Sequence, residues 1–247
     1  VIIDSFENKE KILLSFLEIA GLNGWNENSL IMSFKQCEIE EKYLSIIFPN
    51  SLLSLNSFHI DYFNLLATKQ ISLIDNFNDL RIRDKIKEIV FQRFCLEKNH
   101  RLALKRLVNF YSNPKNLTQY GVGIKPISLA LKSCYKIADN AWYSIGDNTT
   151  DFNFYSKRLI LAKVIMHCFF VFIKDEDDLN KTKDILENEI EKIMIFNKYK
   201  KNFKDYACTQ TEILKHHLEG FFINENSTPK SPKEILKSLP FIRLFKF

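Results

Sequence analysis

The sequence predicts an all-α protein. Gly and Pro are rare, six of each in 247 residues, so few positions break a helix. Long apolar side chains are abundant, and 22 residues are Phe. Apolar positions also recur at helical spacing along most of the chain. A hydrophobic fraction of 46% and a charged fraction of 26% are ordinary for a soluble globular protein with a sizeable core. The net charge of +5 is too modest to imply nucleic acid by itself. Five scattered cysteines, Cys37, Cys95, Cys134, Cys168 and Cys208, read as reduced thiols in a cytosolic compartment. Asp4, Glu7 and Glu10 interrupt any signal-peptide core near Val1, so neither a signal peptide nor an Arg-rich transit segment is expected in this stretch.

The first helix is expected from Asn8 to Ala20, with Ile12, Leu13, Phe16, Ile19 and Ala20 on one side. Gly21-Leu22-Asn23-Gly24 ends it, and Asn26 or Asn28 caps a second helix carrying Leu30, Ile31 and Phe34. A third helix is expected from about Glu38 to Phe48, stopped by Pro49. Three short helices with the ending Phe48-Pro49-Asn50-Ser51 resemble the helix-turn-helix unit of TetR-type repressors. The third helix of such a unit enters the major groove. Here it carries Glu38, Glu40 and Glu41 against Lys42 alone, so phosphates would repel it. A structural remnant of a repressor fold, without DNA binding, is the reading that follows.

Further helices are expected over Tyr62 to Leu73 and Leu80 to Leu96, then through Leu102, Leu104, Leu107, Val108 and Phe110. Gly121 and Gly123 belong to no GxGxxG motif and follow no strand. Ile127 to Trp142 is the next helix. Leu159 to Ile173 is apolar nearly all round, which marks a buried helix too short to span a bilayer. Asp175 to Asp178 makes an acidic turn that complements the next helix N-terminus, Leu179 to about Asn197. The division expected is residues 1–55 as the three-helix unit, 56–205 as a ligand-binding and dimerisation core, and 206–247 as a basic amphipathic tail. In the tail, Leu236, Leu239, Phe241, Arg243 and Phe245 are candidate membrane contacts, since basic residues interleave there with apolar ones. Packing of the tail back onto the body is the alternative, and Pro240 interrupts a single helix.

One stretch departs from this pattern: Ala141-Trp142-Tyr143-Ser144-Ile145-Gly146-Asp147-Asn148-Thr149-Thr150-Asp151-Phe152-Asn153-Phe154-Tyr155-Ser156-Lys157-Arg158. Gly146-Asp147-Asn148 punctuates as a tight turn, and Thr149, Thr150 or Asp151 caps the helix after it. Asp151, Phe154, Tyr155 and Arg158 fall at i, i+3, i+4 and i+7 and share one face. An acid, two aromatics and an arginine have the composition of a binding hot spot. Spacing alone slightly favours a helix start whose charges cap and whose aromatics pack inward.

The stretch closely resembles the signature of the family of the ninth Coq protein, lipid-binding accessory proteins of ubiquinone biosynthesis, and their bacterial relatives. That signature runs Trp, a short gap, then Ala-Gly-Asp-x-Ser/Thr-Thr-Asp-x-Asn-Trp-Tyr-Thr-Lys/Arg-Arg. Trp142, Gly146, Asp147, Thr149, Thr150, Asp151, Asn153, Tyr155, Lys157 and Arg158 match it, while Ile145 replaces Ala, Phe154 replaces Trp and Ser156 replaces Thr. A looser likeness extends from about Lys98 to Met194. The resemblance implies a TetR-like homodimer, paired through its last two core helices. It also implies a bound isoprenoid quinone precursor and a partner, a demethoxyubiquinone hydroxylase, docked on Asp151, Phe154, Tyr155 and Arg158. It implies a C-terminal membrane helix as well, and a place in the bacterial cytoplasm at the inner membrane, or on the matrix side of the mitochondrial one. The lining of a lipid pocket is not readable from the sequence.

The chain is expected not to be an enzyme and to carry neither a metal nor a cofactor besides the lipid. Glu97 and His100 match one half of a di-iron pair, but no other His has Glu three residues before it, so they read as surface groups at a helix end. His167 reads as a satisfied core histidine rather than a base. No GxSxG, HExxH, CxxC or P-loop occurs. A ligand-responsive TetR-type transcriptional regulator is the alternative function, and the acidic third helix weighs against it.

Overall fold

The computed structural model describes residues 3–113, 115–118, 120, 126–147, 152–176 and 178–199. Among these every regular element is helical. The α-helices are α1 (Phe6–Asn23), α2 (Glu27–Gln36), α3 (Leu44–Ile47), α4 (Ser51–Ile71), α5 (Ile82–Glu97), α6 (Arg101–Ser112), α7 (Lys115–Thr118), α8 (Pro126–Ser144), α9 (Phe152–Phe172) and α10 (Asn180–Tyr199). Helix starts follow local chemistry. Ser5 caps α1 by accepting from the Asn8 amide at 3.2 Å, and Asn26 caps α2 by accepting from Ser29 at 2.9 Å. Asp175 caps α10 from within the core, taking both the amide and hydroxyl of Thr182 at 2.8 and 2.7 Å. The acidic turn therefore contributes a buried cap as well as surface charge.

The third helix expected over Glu38 to Phe48 is not continuous. Glu38 adopts a left-handed conformation at φ 57°, and the Ile39 amide donates back to the Phe34 carbonyl at 3.0 Å, closing α2. A single 3₁₀ turn, Glu41–Tyr43, and the four-residue α3 follow before Pro49 stops the chain. A second difference lies in α4, which begins at Ser51 rather than near Tyr62. Ser51, Ser54, Asn56, Ser57 and His59 are weak helix formers. Burial of Leu52, Leu55, Ile60 and Phe63 on one side outweighs that propensity. The division expected at residue 55 falls inside α4, and one buried core joins α1 and α2 to the later helices.

Helix α9 packs between α8 and α10. Leu161, Ala162, Val164, Ile165, Met166, Cys168 and Phe172 are all buried, as its all-round apolar sequence implied. No helix among the described residues is long and apolar enough to cross a membrane. The four described cysteines are free thiols, and burial pushes Cys134 and Cys168 up to about 12, which leaves them unreactive.

Helix α4 and α8 run side by side in the same direction. Lys136 meets Asp61 at 2.6 Å near their middles, and Thr68 meets Ser144 at 3.1 Å near their ends. The end of α4, the end of α8 and the start of α9 therefore lie together at one pole of the bundle.

Candidate partner-binding site at the α8–α9 turn

The turn between α8 and α9 is built by its glycine. Gly146 sits at φ 81°, a conformation that disfavours any side chain. Its amide donates to the Tyr143 carbonyl at 2.9 Å, and the Asp147 amide donates to the Trp142 carbonyl at 3.1 Å. These two bonds are the Schellman closure of a helix C-terminus. The closure fixes Asp147 directly over the start of α9.

Asp147 then binds both bases of the signature. Lys157 Nζ lies 3.1 Å from its Oδ1, and Arg158 Nη1 lies 3.3 Å from its Oδ2. Arg158 Nε also pairs with Asp139, one turn and a half back along α8. Its Nη1 donates to the Phe154 carbonyl at 3.1 Å, and its guanidinium carbon stands 3.3 Å from the Phe154 ring centre. Lys157 Nζ is 5.2 Å from the centre of the Trp142 ring. Trp142, Gly146, Asp147, Lys157 and Arg158 thus explain one another: they form an ionic clasp that locks the end of α8 to the start of α9.

This changes the role of one predicted contact residue. Arg158 does not face outward; it is 1% exposed, among the largest fully buried side chains of the protein. A helical face of four residues is wide enough to straddle the line between core and surface, and Arg158 falls on the core side. Tyr155 falls on the other and is 59% exposed. Phe154 is half-buried beneath, with its ring edge-on to Tyr155 at 5.1 Å. Asp151 lies outside the described residues, as do the membrane-contact candidates Leu236, Leu239, Phe241, Arg243 and Phe245. Spacing missed Asp139 and Asp147 as charge partners, and Tyr143, which is 73% exposed before the turn. Tyr143 was legible only as an apolar-polar residue beside the signature. Tyr135, also on α8, is close enough to Asp139 and Tyr155 for their charges to raise its phenol pKa, after burial as the main cause.

A second charged cluster lies deep between α4 and α5. Glu97 is buried rather than a surface group: Arg93 reaches it at 2.9 Å and His59 Nε2 at 3.0 Å. Arg93 also donates to the Ile60 carbonyl and to Asn64 at 3.1 and 2.8 Å. Burial raises the Glu97 pKa, but Arg93 and His59 outweigh it and hold the carboxyl below its ordinary value. His100 is pushed down by burial and then by His59. The carboxylate that a di-iron motif would offer to metal is thus committed to Arg93. His167, on α9, is half-buried 3.7 Å from Glu189 of α10.

Residues 127–197, which contain the whole clasp, match the COQ9 family model. The chain is 23% identical over 202 residues to the human protein named ubiquinone biosynthesis protein COQ9, mitochondrial, an alignment covering 77% of this chain and 60% of that protein. It is 22% identical over 205 residues to the Dictyostelium discoideum protein named probable ubiquinone biosynthesis protein coq9, mitochondrial, covering 81% of this chain and 64% of the relative. The chain spans about three fifths of the length of these curated relatives. The family-model match over the clasp and the likeness to both relatives support a protein of the COQ9 family.

Proposed function

We propose that this chain is an accessory protein of ubiquinone biosynthesis that binds an isoprenoid quinone precursor and presents it to a demethoxyubiquinone hydroxylase. The observation that carries the reading is the exposure of Tyr155 at the tip of the family signature, held by a buried clasp. Tyr155 and half-buried Phe154 form the docking surface, with Tyr143 added to it. Arg158 acts as a positioning residue, because it is buried and its described contacts go to Asp139, Asp147 and the Phe154 carbonyl.

The relatives' names support the pathway. A bound polyprenyl chain is retained by burial, worth ~25 cal/mol per Å² of apolar surface. A homodimer through α9 and α10, a TetR-like ancestry and a catalytically silent role complete the proposal. So does a peripheral place on the bilayer, facing the mitochondrial matrix or the bacterial cytoplasm. A transcriptional regulator is disfavoured by α3, whose four residues give no continuous helix for a major groove. Two measurements test the reading together: mass spectrometry of organic extract from the purified protein, and capture of the hydroxylase by the immobilised chain. A prenyl lipid with hydroxylase capture supports it. Neither lipid nor capture removes it.

A further inference from the structure

The pole that carries the α8–α9 turn has a second exposed feature. Between α4 and α5 the chain runs from Ser72 to Arg81, turning through Asn76 at φ 59°. Ile74 and Phe77 pack inward and fix this connection to the core. Leu73, Leu80 and Ile82 point outward instead, at 76%, 39% and 62% exposure. Single exposed leucines are common and need no cause. Three within ten residues, on a connection that also anchors two apolar side chains properly, form a local concentration.

Their surroundings carry a small basic excess. Lys69, Arg81, Arg83, Lys85 and Lys87 flank them, against Asp75, Asp79, Asp84 and Glu88. Asp84 is already shared, 3.6 Å from Arg83 and 3.9 Å from Lys87. Exposed aliphatic tips inside a collar with a basic excess match the two parts of an anionic bilayer: acyl chains below, phosphate and carboxylate headgroups above.

The topology brings the end of α10 to the same pole. Helix α10 runs antiparallel to α5, since Lys98 pairs with Asp178 at one end and Lys87 lies 3.8 Å from Glu191 at the other. The end of α10 therefore lies beside the start of α5, and residues 200–247 follow from there. Those 48 residues include Lys230, Lys233, Lys237, Arg243 and Lys246 interleaved with Phe and Leu.

We propose that the α4–α5 connection, through Leu73, Leu80 and Ile82 with Lys69, Arg81 and Arg83, is a membrane-contact element that seats this pole on an anionic bilayer. The inference rests on the peripheral-membrane part of the reading above. It assigns to the folded body a contact separate from the tail. It also sets Tyr143 and Tyr155 near the lipid surface, where a partner working on a membrane-borne quinone would meet them.

The test uses the full chain and co-sedimentation with vesicles of phosphatidylcholine alone or with added phosphatidylglycerol. Leu73→Glu/Ile82→Glu should weaken partitioning onto anionic vesicles roughly tenfold, since two apolar tips are replaced by charges that the headgroups repel. Leu73→Ser/Ile82→Ser should do the same to a lesser degree, and melting should be unchanged for both because the sites are exposed. Leu73→Trp should bind at least as well as the parent, with its emission shifted to the blue on anionic vesicles. Deleting residues 231–247 should leave residual binding that Leu73→Glu/Ile82→Glu removes. Parental binding by the glutamate variant, or no spectral shift for Leu73→Trp, overturns the proposal while leaving the tail as anchor. Loss of hydroxylase capture without loss of vesicle binding assigns the patch to a protein and overturns it too. If the unaltered chain ignores anionic vesicles, the peripheral-membrane reading fails with it.

Discussion

Among the described residues two arginines are buried, and they are buried for different ends. Arg93 is enclosed between α4 and α5, with Glu97, Asn64 and the Ile60 carbonyl as partners; His59 meets Glu97 as well, and Glu97 and His59 are themselves only 3% exposed. Arg158 is as deeply covered, but of its two acids Asp139 is half-exposed at 49% and Asp147 also holds Lys157, and the preceding turn of its helix puts Tyr155 in solvent. The first network closes a core. The second supports a surface. A buried charge pair is weak evidence for stability in general, yet removing one partner is costly because the other stays unpaired. Where that cost falls separates the two sites.

The largest effect is expected at the closed network. Arg93→Ala should destabilise the fold by about 3–5 kcal/mol, because Glu97 and Asn64 lose their donor where water does not reach. Urea unfolding followed by circular dichroism measures this, and a loss below about 1 kcal/mol would mean the pair is dispensable. Arg158→Met should cost less, about 1–3 kcal/mol, because Asp139 can rehydrate and Asp147 keeps Lys157. It should also weaken hydroxylase capture, since Phe154 loses the guanidinium beneath which it is set. Equal stability losses at the two arginines would erase the distinction between them.

A smaller effect on folding, but not on binding, is expected at the surface. Tyr155→Ala should change stability by less than about 0.5 kcal/mol, as for exposed positions generally. Tyr143→Ala should behave likewise, with a weaker loss of partner affinity. The smallest effect concerns pH. Glu189 is held down to about 2 by His167 first and by Lys192 at 2.8 Å, against the upward pull of burial. A depressed carboxylate contributes stability that is complete above its unfolded value near 4.5 and is lost as pH falls towards about 2. His167 and Lys163 of α9 and Lys192 of α10 are the groups that face Glu189. Glu189→Gln should therefore lose less stability than the parent across that interval, read as urea midpoints against pH.

Much of this architecture was legible in the sequence, and the illegible parts share a cause. Periodicity located the core faces of α1, α5, α6 and α9, because those depend on apolar side chains at helical spacing. Gly146 announced its turn, since few residues but Gly accept φ near 81°. The break after α2 was hidden because Glu38 takes a left-handed conformation with no glycine to mark it. The early start of α4 was hidden because Ser, Asn and His there yield to tertiary burial. Charged side chains were hardest. Glu97 looked like surface, and Arg158 looked like a contact, because sequence does not show which partner across the bundle will neutralise a charge. Asp147 and Asp139 decide that for Arg158, and only the packing of α8 against α9 brings them there.

The central claim is that the signature divides its labour between a buried clasp and an exposed docking aromatic. The most direct test measures hydroxylase affinity and melting temperature for Tyr155→Ala in the full chain. The expected result is a parental melting curve with affinity reduced about thirtyfold, corresponding to ~2 kcal/mol for a truncated aromatic anchor. Parental affinity would contradict the assignment of Tyr155 as the docking residue, and a lowered melting temperature would place it in the core instead.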